Sequence, residues 1–91
     1  MSIEQLIKKL GINKVGEYSK DNSYVIDLDS SEDFGKMYSI LDRNEELEYL
    51  EDYSLLTVDN SSLLYNYNDA FQIALISDFN NDSYKIVVSE I

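Results

Sequence analysis

Apolar residues near the start of the chain recur with the period of an α-helix. The residues at positions i, i+3, i+4 and i+7 are Ile3, Leu6, Ile7 and Leu10. This spacing places them on one stripe, which a helix buries against a core. Ser2, followed three positions later by Gln5, has the form of a capping box, and Gly11 supplies a stop signal. The pattern therefore predicts a helix over residues 2–10.

The next segment predicts a hairpin followed by a second helix. Residues 24–29 alternate apolar and polar side chains, as a strand with one buried face does. Residues 15–18 are its expected partner, across a turn of Lys, Asp and Asn. Ser30 or Ser31 then supplies the N-terminal cap of a helix that extends to about Arg43. The buried face expected for this helix consists of Phe34, Met37, Tyr38 and Leu41.

The second half of the chain has the alternation and the turn signals of β-strands. Strands are expected at residues 55–58, 63–68, 71–76 and 84–90, with turns at residues 59–62 and 80–83. Residues 71–76 are apolar on both faces, which indicates a central strand. Short turns between neighbours favour an antiparallel meander. The predicted fold class is α+β: a single domain of residues 1–91, in which one to three short helices pack on an antiparallel sheet of about four to six strands.

The stretch between the second helix and these strands fits two conformations. Leu47, Leu50 and Tyr53 have the spacing of a short helix, while Leu47, Tyr49 and Tyr53 have that of a strand. Glu is a better helix former than strand former, and the stretch is rich in Glu. We therefore predict a short helix at residues 45–52.

The charge balance of the chain is strongly acidic. It has 18 Asp and Glu residues against 7 Lys and Arg residues, a formal net charge of −11. Such a charge repels nucleic-acid phosphates and anionic membrane surfaces, so neither is an expected ligand. The expected partner is basic: a nucleic-acid-binding protein, a cationic toxin or a cation.

The residue inventory argues against catalysis. The chain has no His and no Cys, which removes the Ser–His and Cys–His nucleophile arrangements and thiolate metal sites. Its three glycines form no phosphate-binding loop. We therefore expect a protein that is not an enzyme and that uses no cofactor and no metal. Nothing near Met1 resembles a signal peptide and no run reaches membrane-spanning length, so the expected location is the cytoplasm.

The charges are segregated along the chain. Between Asn44 and Tyr84 there is no Lys or Arg, although this window contains nine acidic residues. Acidic residues interspersed with basic ones serve solubility, whereas a segregated set creates a field that attracts a basic partner. The predicted partner-binding residues are Glu45, Glu46, Glu48, Tyr49, Glu51, Asp52, Asp59 and Asp69.

Four tyrosines in this window are candidates for either the core or the interface. They are Tyr49, Tyr53, Tyr65 and Tyr67. Aromatic side chains add binding energy at interfaces and stack on Arg, but they also fill the core of a small sheet. Tyr49 is the one for which exposure is expected most.

The chain as a whole resembles a class of phage-encoded inhibitors. A small, acidic chain without Cys or His, opening on the amphipathic residues 3–10, is similar in format to anti-CRISPR proteins and other DNA mimics. The resemblance implies a stoichiometric inhibitor, a monomer or homodimer in the host cytoplasm, that occupies the nucleic-acid-binding surface of a CRISPR effector or nuclease. Two alternatives stay open: an immunity or antitoxin-type protein that neutralises a cationic nuclease toxin, and an acidic interaction domain that inhibits nothing.

Overall fold

Two helices and seven strands make up the fold, which confirms the predicted α+β class. The computed structural model describes all 91 residues. In chain order the elements are α1 (Ile3–Lys9), β1 (Glu17–Tyr18), β2 (Tyr24–Leu28), α2 (Ser31–Arg43), β3 (Leu47–Tyr49), a 3-10 turn (Glu51–Tyr53), β4 (Leu55–Leu56), β5 (Asn60–Tyr67), β6 (Phe71–Asp78) and β7 (Ser83–Glu90).

The strands form one antiparallel sheet in the order β1-β2-β7-β6-β5-β3, and β4 also pairs with β5. The predicted meander is present as β5, β6 and β7, three strands of eight residues each. β2 pairs with β7, so the N-terminal hairpin extends this meander on one side. The sheet has one strand more than the upper bound predicted, because the stretch expected to be a helix supplies β3.

Both helices begin where the capping signals predict. At α1, the Ser2 hydroxyl accepts a hydrogen bond from the backbone N–H of Gln5 (3.2 Å), and the Gln5 side chain accepts one from the backbone N–H of Ser2 (2.7 Å). Gly11 follows α1 with φ +80°, a conformation that favours glycine. At α2, the Ser30 hydroxyl accepts a hydrogen bond from the backbone N–H of Asp33 (3.2 Å). These caps satisfy backbone donors that have no partner within the helix.

The predicted helix at residues 45–52 is wrong. Leu47 and Tyr49 lie opposite Tyr67 and Tyr65 of β5, so the segment pairs as a strand with its apolar residues on the core side and Glu48 on the other. The free edge of β5 offers backbone donors and acceptors to this segment. Pairing with that edge outweighs the modest helix preference of Glu, since propensity is a weak prior against tertiary contacts.

The predicted turn at residues 59–62 is also shorter than expected, because β5 begins at Asn60. Ser61 is buried, and its hydroxyl lies 2.6 Å from the hydroxyl of Ser77 on β6, directly across the strand pair. Each serine therefore satisfies the other inside the sheet. Serine is normally a turn residue, so the sequence pattern indicated a turn at this place.

The helices cover one face of the sheet only. The core is one cluster of 19 buried residues contributed by α1, the segment that follows it (Leu10 and Ile12), α2 and the inward-facing residues of the strands. β6 is central, as predicted: its residues Ile73 and Leu75 are fully buried, whereas Ala74 and Ile76 are half-buried on the other, uncovered face.

Candidate functional site

Four of the predicted carboxylates lie together along one edge of the sheet. β3, the turn before it and the 3-10 turn after it carry them: Glu45, Glu48, Glu51 and Asp52, which we call the acidic edge. All four side chains are exposed. None takes part in the four salt bridges of the protein. The acidic edge thus has a negative charge that no basic group of the chain neutralises locally.

Backbone and serine contacts hold the acidic edge on the sheet. The backbone N–H of Leu50 donates to the carbonyl oxygen of Leu64 on β5 (2.8 Å). The Ser54 hydroxyl donates to the carbonyl oxygen of Leu50 (2.8 Å) and accepts from the backbone N–H of Leu64 (3.0 Å). One side chain therefore replaces a bond of the strand ladder where the 3-10 turn interrupts it.

Glu46 differs from its neighbours because it is used inside the molecule. Its carboxylate lies 3.0 Å from the ammonium of Lys9 on α1 and accepts a hydrogen bond from the Tyr67 hydroxyl (3.1 Å). The Tyr67 hydroxyl in turn accepts from Lys9 (2.8 Å). Hydrogen bonds from Lys9 and then from Tyr67 lower the pKa of Glu46. The structure therefore places Glu46 in a link between α1 and the sheet.

Asp59 and Asp69 are far from each other. They flank β5 at opposite ends, and eight strand residues span about 26 Å at roughly 3.3 Å per residue. The Asp69 carboxylate accepts a hydrogen bond from the side-chain amide of Asn66 (2.9 Å), within the turn to β6. The predicted partner-binding set thus extends over at least the length of β5 and is not one compact patch.

The four tyrosines of the window divide evenly between the core and the surface. Tyr65 and Tyr67 are buried, with Tyr65 only 2 % exposed. Tyr49 is 44 % exposed and Tyr53 is 75 % exposed, so Tyr53, rather than Tyr49, is the most exposed of the four. The rings of Tyr49 and Tyr65 lie 5.4 Å apart between centroids, which continues the core outward to the acidic edge.

A groove lined mainly by aromatic rings opens beside the acidic edge, between α2 and the β3–β5 side of the sheet. Its volume is about 270 Å³. Its walls include Phe34, Tyr38, Tyr49, Leu56, Tyr65 and Phe79, and the carboxylate-bearing residue is Asp42. We call this feature the aromatic groove. Tyr49 belongs to both the groove and the surface that carries the acidic edge, so the two features are continuous.

The hydroxyl of Tyr65 is an unsatisfied polar group beside this groove. It is buried and has no hydrogen-bond partner within the protein. Burial, with smaller contributions from Tyr38, Asp42 and Tyr49, raises the pKa of Tyr65 to about 12. A buried hydroxyl without a partner costs free energy, so native proteins seldom retain one without a reason.

Exposed apolar side chains concentrate around the groove and the acidic edge. Of the eleven large hydrophobic residues that are exposed, five line the groove or the depression along the acidic edge: Tyr38, Tyr49, Tyr53, Leu56 and Phe79. Scattered exposed hydrophobic residues are ordinary, but a continuous set indicates an interaction surface. This surface combines apolar contact area with unpaired negative charge, which suits a partner that is basic and partly apolar.

Sequence reasoning did not find Tyr38, Asp42 and Tyr65 as site residues. Tyr38 was assigned to the buried face of α2, but it is exposed and lines the groove. Tyr65 was assigned to either the core or the interface, and it is a core residue whose hydroxyl lacks a partner. The spacing of Tyr38 and Asp42, one helical turn apart, was the available signal.

Neither a cluster of metal-ligating side chains nor a membrane-spanning helix is present. No group of three or more Asp or Glu side chains is placed to hold a metal ion. None of the helices has the length and apolar character needed to cross a bilayer. Comparison with known proteins gives no match: no family model matches the chain, and no curated protein or solved structure is significantly similar to it.

Proposed function

We propose that this protein is a stoichiometric binding inhibitor that uses the acidic edge and the aromatic groove to occupy the nucleic-acid-binding surface of a basic effector protein. The supporting observation is that unpaired carboxylates and exposed apolar side chains coincide at one sheet edge. Negative charge steers a basic partner during encounter and raises its association rate. Once the partner is in place, aromatic side chains contribute more to the binding free energy than exposed charges do.

The concentration of charge at the edge favours competition with nucleic acid. Glu48 lies on β3, and Glu51 and Asp52 lie on the 3-10 turn, so three exposed carboxylates fall within five residues of one sheet edge. Nucleic acid likewise presents closely spaced negative charges along its backbone. A surface that binds a phosphate backbone carries Lys and Arg that such a cluster of carboxylates can meet.

Inhibition assays with purified nucleases test this proposal. The panel contains RNA-guided CRISPR effectors and cationic nuclease toxins, and each is titrated with the protein while DNA or RNA cleavage is measured. We expect inhibition that is complete at about one equivalent and that preincubation with guide or target nucleic acid relieves. Inhibition of the toxins alone, without competition from nucleic acid, would instead favour the immunity class. Absence of inhibition and of binding across the panel would contradict the proposal.

A pair of charge-reversal variants locates the surface. Glu51→Lys with Asp52→Lys changes the acidic edge, while Glu17→Lys with Glu90→Lys changes exposed carboxylates on β1 and β7. Each reversal adds two charges, so both variants have a net charge of −7 instead of −11. We expect the first variant to weaken binding about tenfold or more, and the second to weaken it by much less. Equal effects would show that only overall charge matters.

A further inference from the structure

We propose that the aromatic groove is a receptor for one arginine side chain of the partner protein, with the guanidinium between the aromatic walls and paired with the Asp42 carboxylate and the Tyr65 hydroxyl. The identity of the partner rests on the function proposed above, but the preference of the groove for arginine follows from the groove itself. Asp42 and Tyr65 were outside the predicted partner-binding set. The proposal gives both residues a role in pairing with the guanidinium.

The size of the groove suits a single side chain. Its volume of about 270 Å³ lies just below the range of about 300–1,000 Å³ typical of sites for drug-sized ligands and cofactors. The groove is open along the side where Leu56 and Tyr49 stand, and both of these residues are exposed. A side chain projecting from a partner surface can therefore enter the groove from this side, and it reaches the buried Tyr65 hydroxyl when the side chains that line the groove adjust.

The polar groups of the groove require an occupant that donates hydrogen bonds. The Tyr65 hydroxyl is buried without a partner in the protein, and a phenolic oxygen accepts as well as donates. Asp42 has no basic residue within salt-bridge distance, since it takes part in none of the four salt bridges. An apolar side chain in the groove would leave the buried Tyr65 hydroxyl unpaired, and an anionic one would be repelled by Asp42.

Among cationic side chains, arginine fits these groups better than lysine. Its planar guanidinium has five N–H donors, so it can pair with a carboxylate and still donate to a hydroxyl. It also stacks on aromatic faces and is more weakly hydrated than an ammonium group. The rings of Tyr38, Tyr49 and Phe34 supply such faces along the groove. Lysine would offer a compact, strongly hydrated charge to walls that are mostly apolar.

The groove and the acidic edge would then act on the same partner. Tyr49 lines both the groove and the depression that carries Glu51 and Asp52, so one side chain connects the groove to the carboxylates of the 3-10 turn, while Glu48 points to the other face of the sheet. Proteins that bind nucleic acid carry arginines in clusters along the surface that contacts phosphates. One arginine anchored in the groove would fix the register in which the neighbouring basic residues meet the acidic edge.

Short peptides test the arginine preference without the natural partner. The probe is the capped peptide acetyl-Gly-Arg-Gly-amide, titrated into 15N-labelled protein and followed by amide chemical shifts. Matched peptides carry citrulline, lysine or norleucine in place of arginine. We expect binding in the millimolar range, shifts centred on Tyr49, Leu56 and Asp42, and an affinity for arginine at least about tenfold above that for citrulline, which is planar but uncharged. Equal binding of norleucine, or shifts confined to the acidic edge, would overturn the proposal.

Two variants separate the polar contacts from general electrostatics. Asp42→Asn removes the carboxylate of the groove, and Asp27→Asn removes an exposed carboxylate on β2, away from it, so the two variants have the same net charge. We expect the arginine peptide to lose about tenfold in affinity with Asp42→Asn and to bind Asp27→Asn as it binds the unchanged protein. Tyr65→Phe should also weaken arginine binding, while its thermal unfolding shows whether the fold persists. Equal losses in the two carboxylate variants would overturn the proposal.

The outcomes distinguish this proposal from the proposed function. If the protein inhibits a nuclease but the peptides do not bind in the groove, the arginine receptor is wrong and the inhibitor function stands. If the arginine peptide binds in the groove but no nuclease is bound or inhibited, the receptor stands and the inhibitor function is wrong.

Discussion

Removal of the Tyr65 hydroxyl should stabilise the protein, because this hydroxyl is buried without a hydrogen-bond partner. Tyr65→Phe keeps the ring and deletes only the oxygen, which is buried and unpaired. A buried, unsatisfied polar group costs about 1–3 kcal/mol. Since the hydroxyl borders an open groove, we take the lower end and expect an increase of about 1 kcal/mol in the free energy of unfolding. For a domain of this size, that corresponds to a rise of about 4–8 °C in the melting temperature.

Tyr67→Phe is the matched control, since Tyr67 is also buried and faces the same side of β5 two residues later. Its hydroxyl accepts from Lys9 and donates to Glu46, so the same deletion removes two hydrogen bonds. Lys9 and Glu46 are both about half exposed and still contact each other directly, so water and their own pairing offset part of the loss. We expect a decrease of about 1 kcal/mol in the free energy of unfolding.

The assay is urea or thermal unfolding of the three proteins, followed by far-ultraviolet circular dichroism. The predicted difference between the two variants is about 2 kcal/mol, well above the uncertainty of such measurements. If Tyr65→Phe lowers the free energy of unfolding as much as Tyr67→Phe does, the Tyr65 hydroxyl has a partner in the folded protein. The Tyr65 hydroxyl would then not be an unpaired group available to a ligand in the groove.

Two further predictions concern pH and glycine. Burial raises the pKa of Tyr65 from 10.0 to about 12, so the folded protein holds this proton more tightly than the unfolded chain. The resulting stability is complete below pH 10 and is lost as the pH rises to about 12. In an absorbance titration of the tyrosines, the protein should show one late-titrating residue that Tyr65→Phe lacks. A Cβ on Gly16 would overlap the carbonyl oxygen of Val25, so Gly16→Ala should lower the free energy of unfolding by about 1–3 kcal/mol. In α2, a Cβ on Gly35 meets nothing within 4 Å, so Gly35→Ala should raise the free energy of unfolding by about 1 kcal/mol. Urea unfolding measures the stability of both glycine variants. A Gly16→Ala variant more stable than the unchanged protein would contradict the close approach of Gly16 to the Val25 carbonyl.

Local signals predicted the parts of the fold that local physics determines. The apolar stripe beginning at Ile3 and the serine caps set both helices, because period and capping act within a few residues along the chain. The alternation in β5, β6 and β7 set the meander, because one face of each strand must be buried. Residues 45–52 were predicted wrongly because their conformation depends on the free edge of β5, which is distant in sequence.

The candidate site was predictable in charge but not in shape. The sequence contains the carboxylates of the acidic edge, and the absence of nearby Lys and Arg is visible there. Whether a carboxylate is free depends on contacts between distant elements, as the pairing of Glu46 with Lys9 illustrates. The groove forms because Asp42 on a helix and Tyr65 on a strand line the same cavity. The hydrophobic pattern of each segment alone does not show that the two residues meet.

The short outer strands have a consequence for how the protein behaves at high concentration. β1 and β4 have two residues each and β3 has three, so neither border of the sheet offers a long row of unpaired N–H and C=O groups. Such rows are the template on which chains add to one another and grow into fibrils. The 3-10 turn that presents Tyr53 to solvent also breaks this template beside β5. The protein can therefore expose apolar side chains along the acidic edge and still resist strand-by-strand polymerisation with copies of itself.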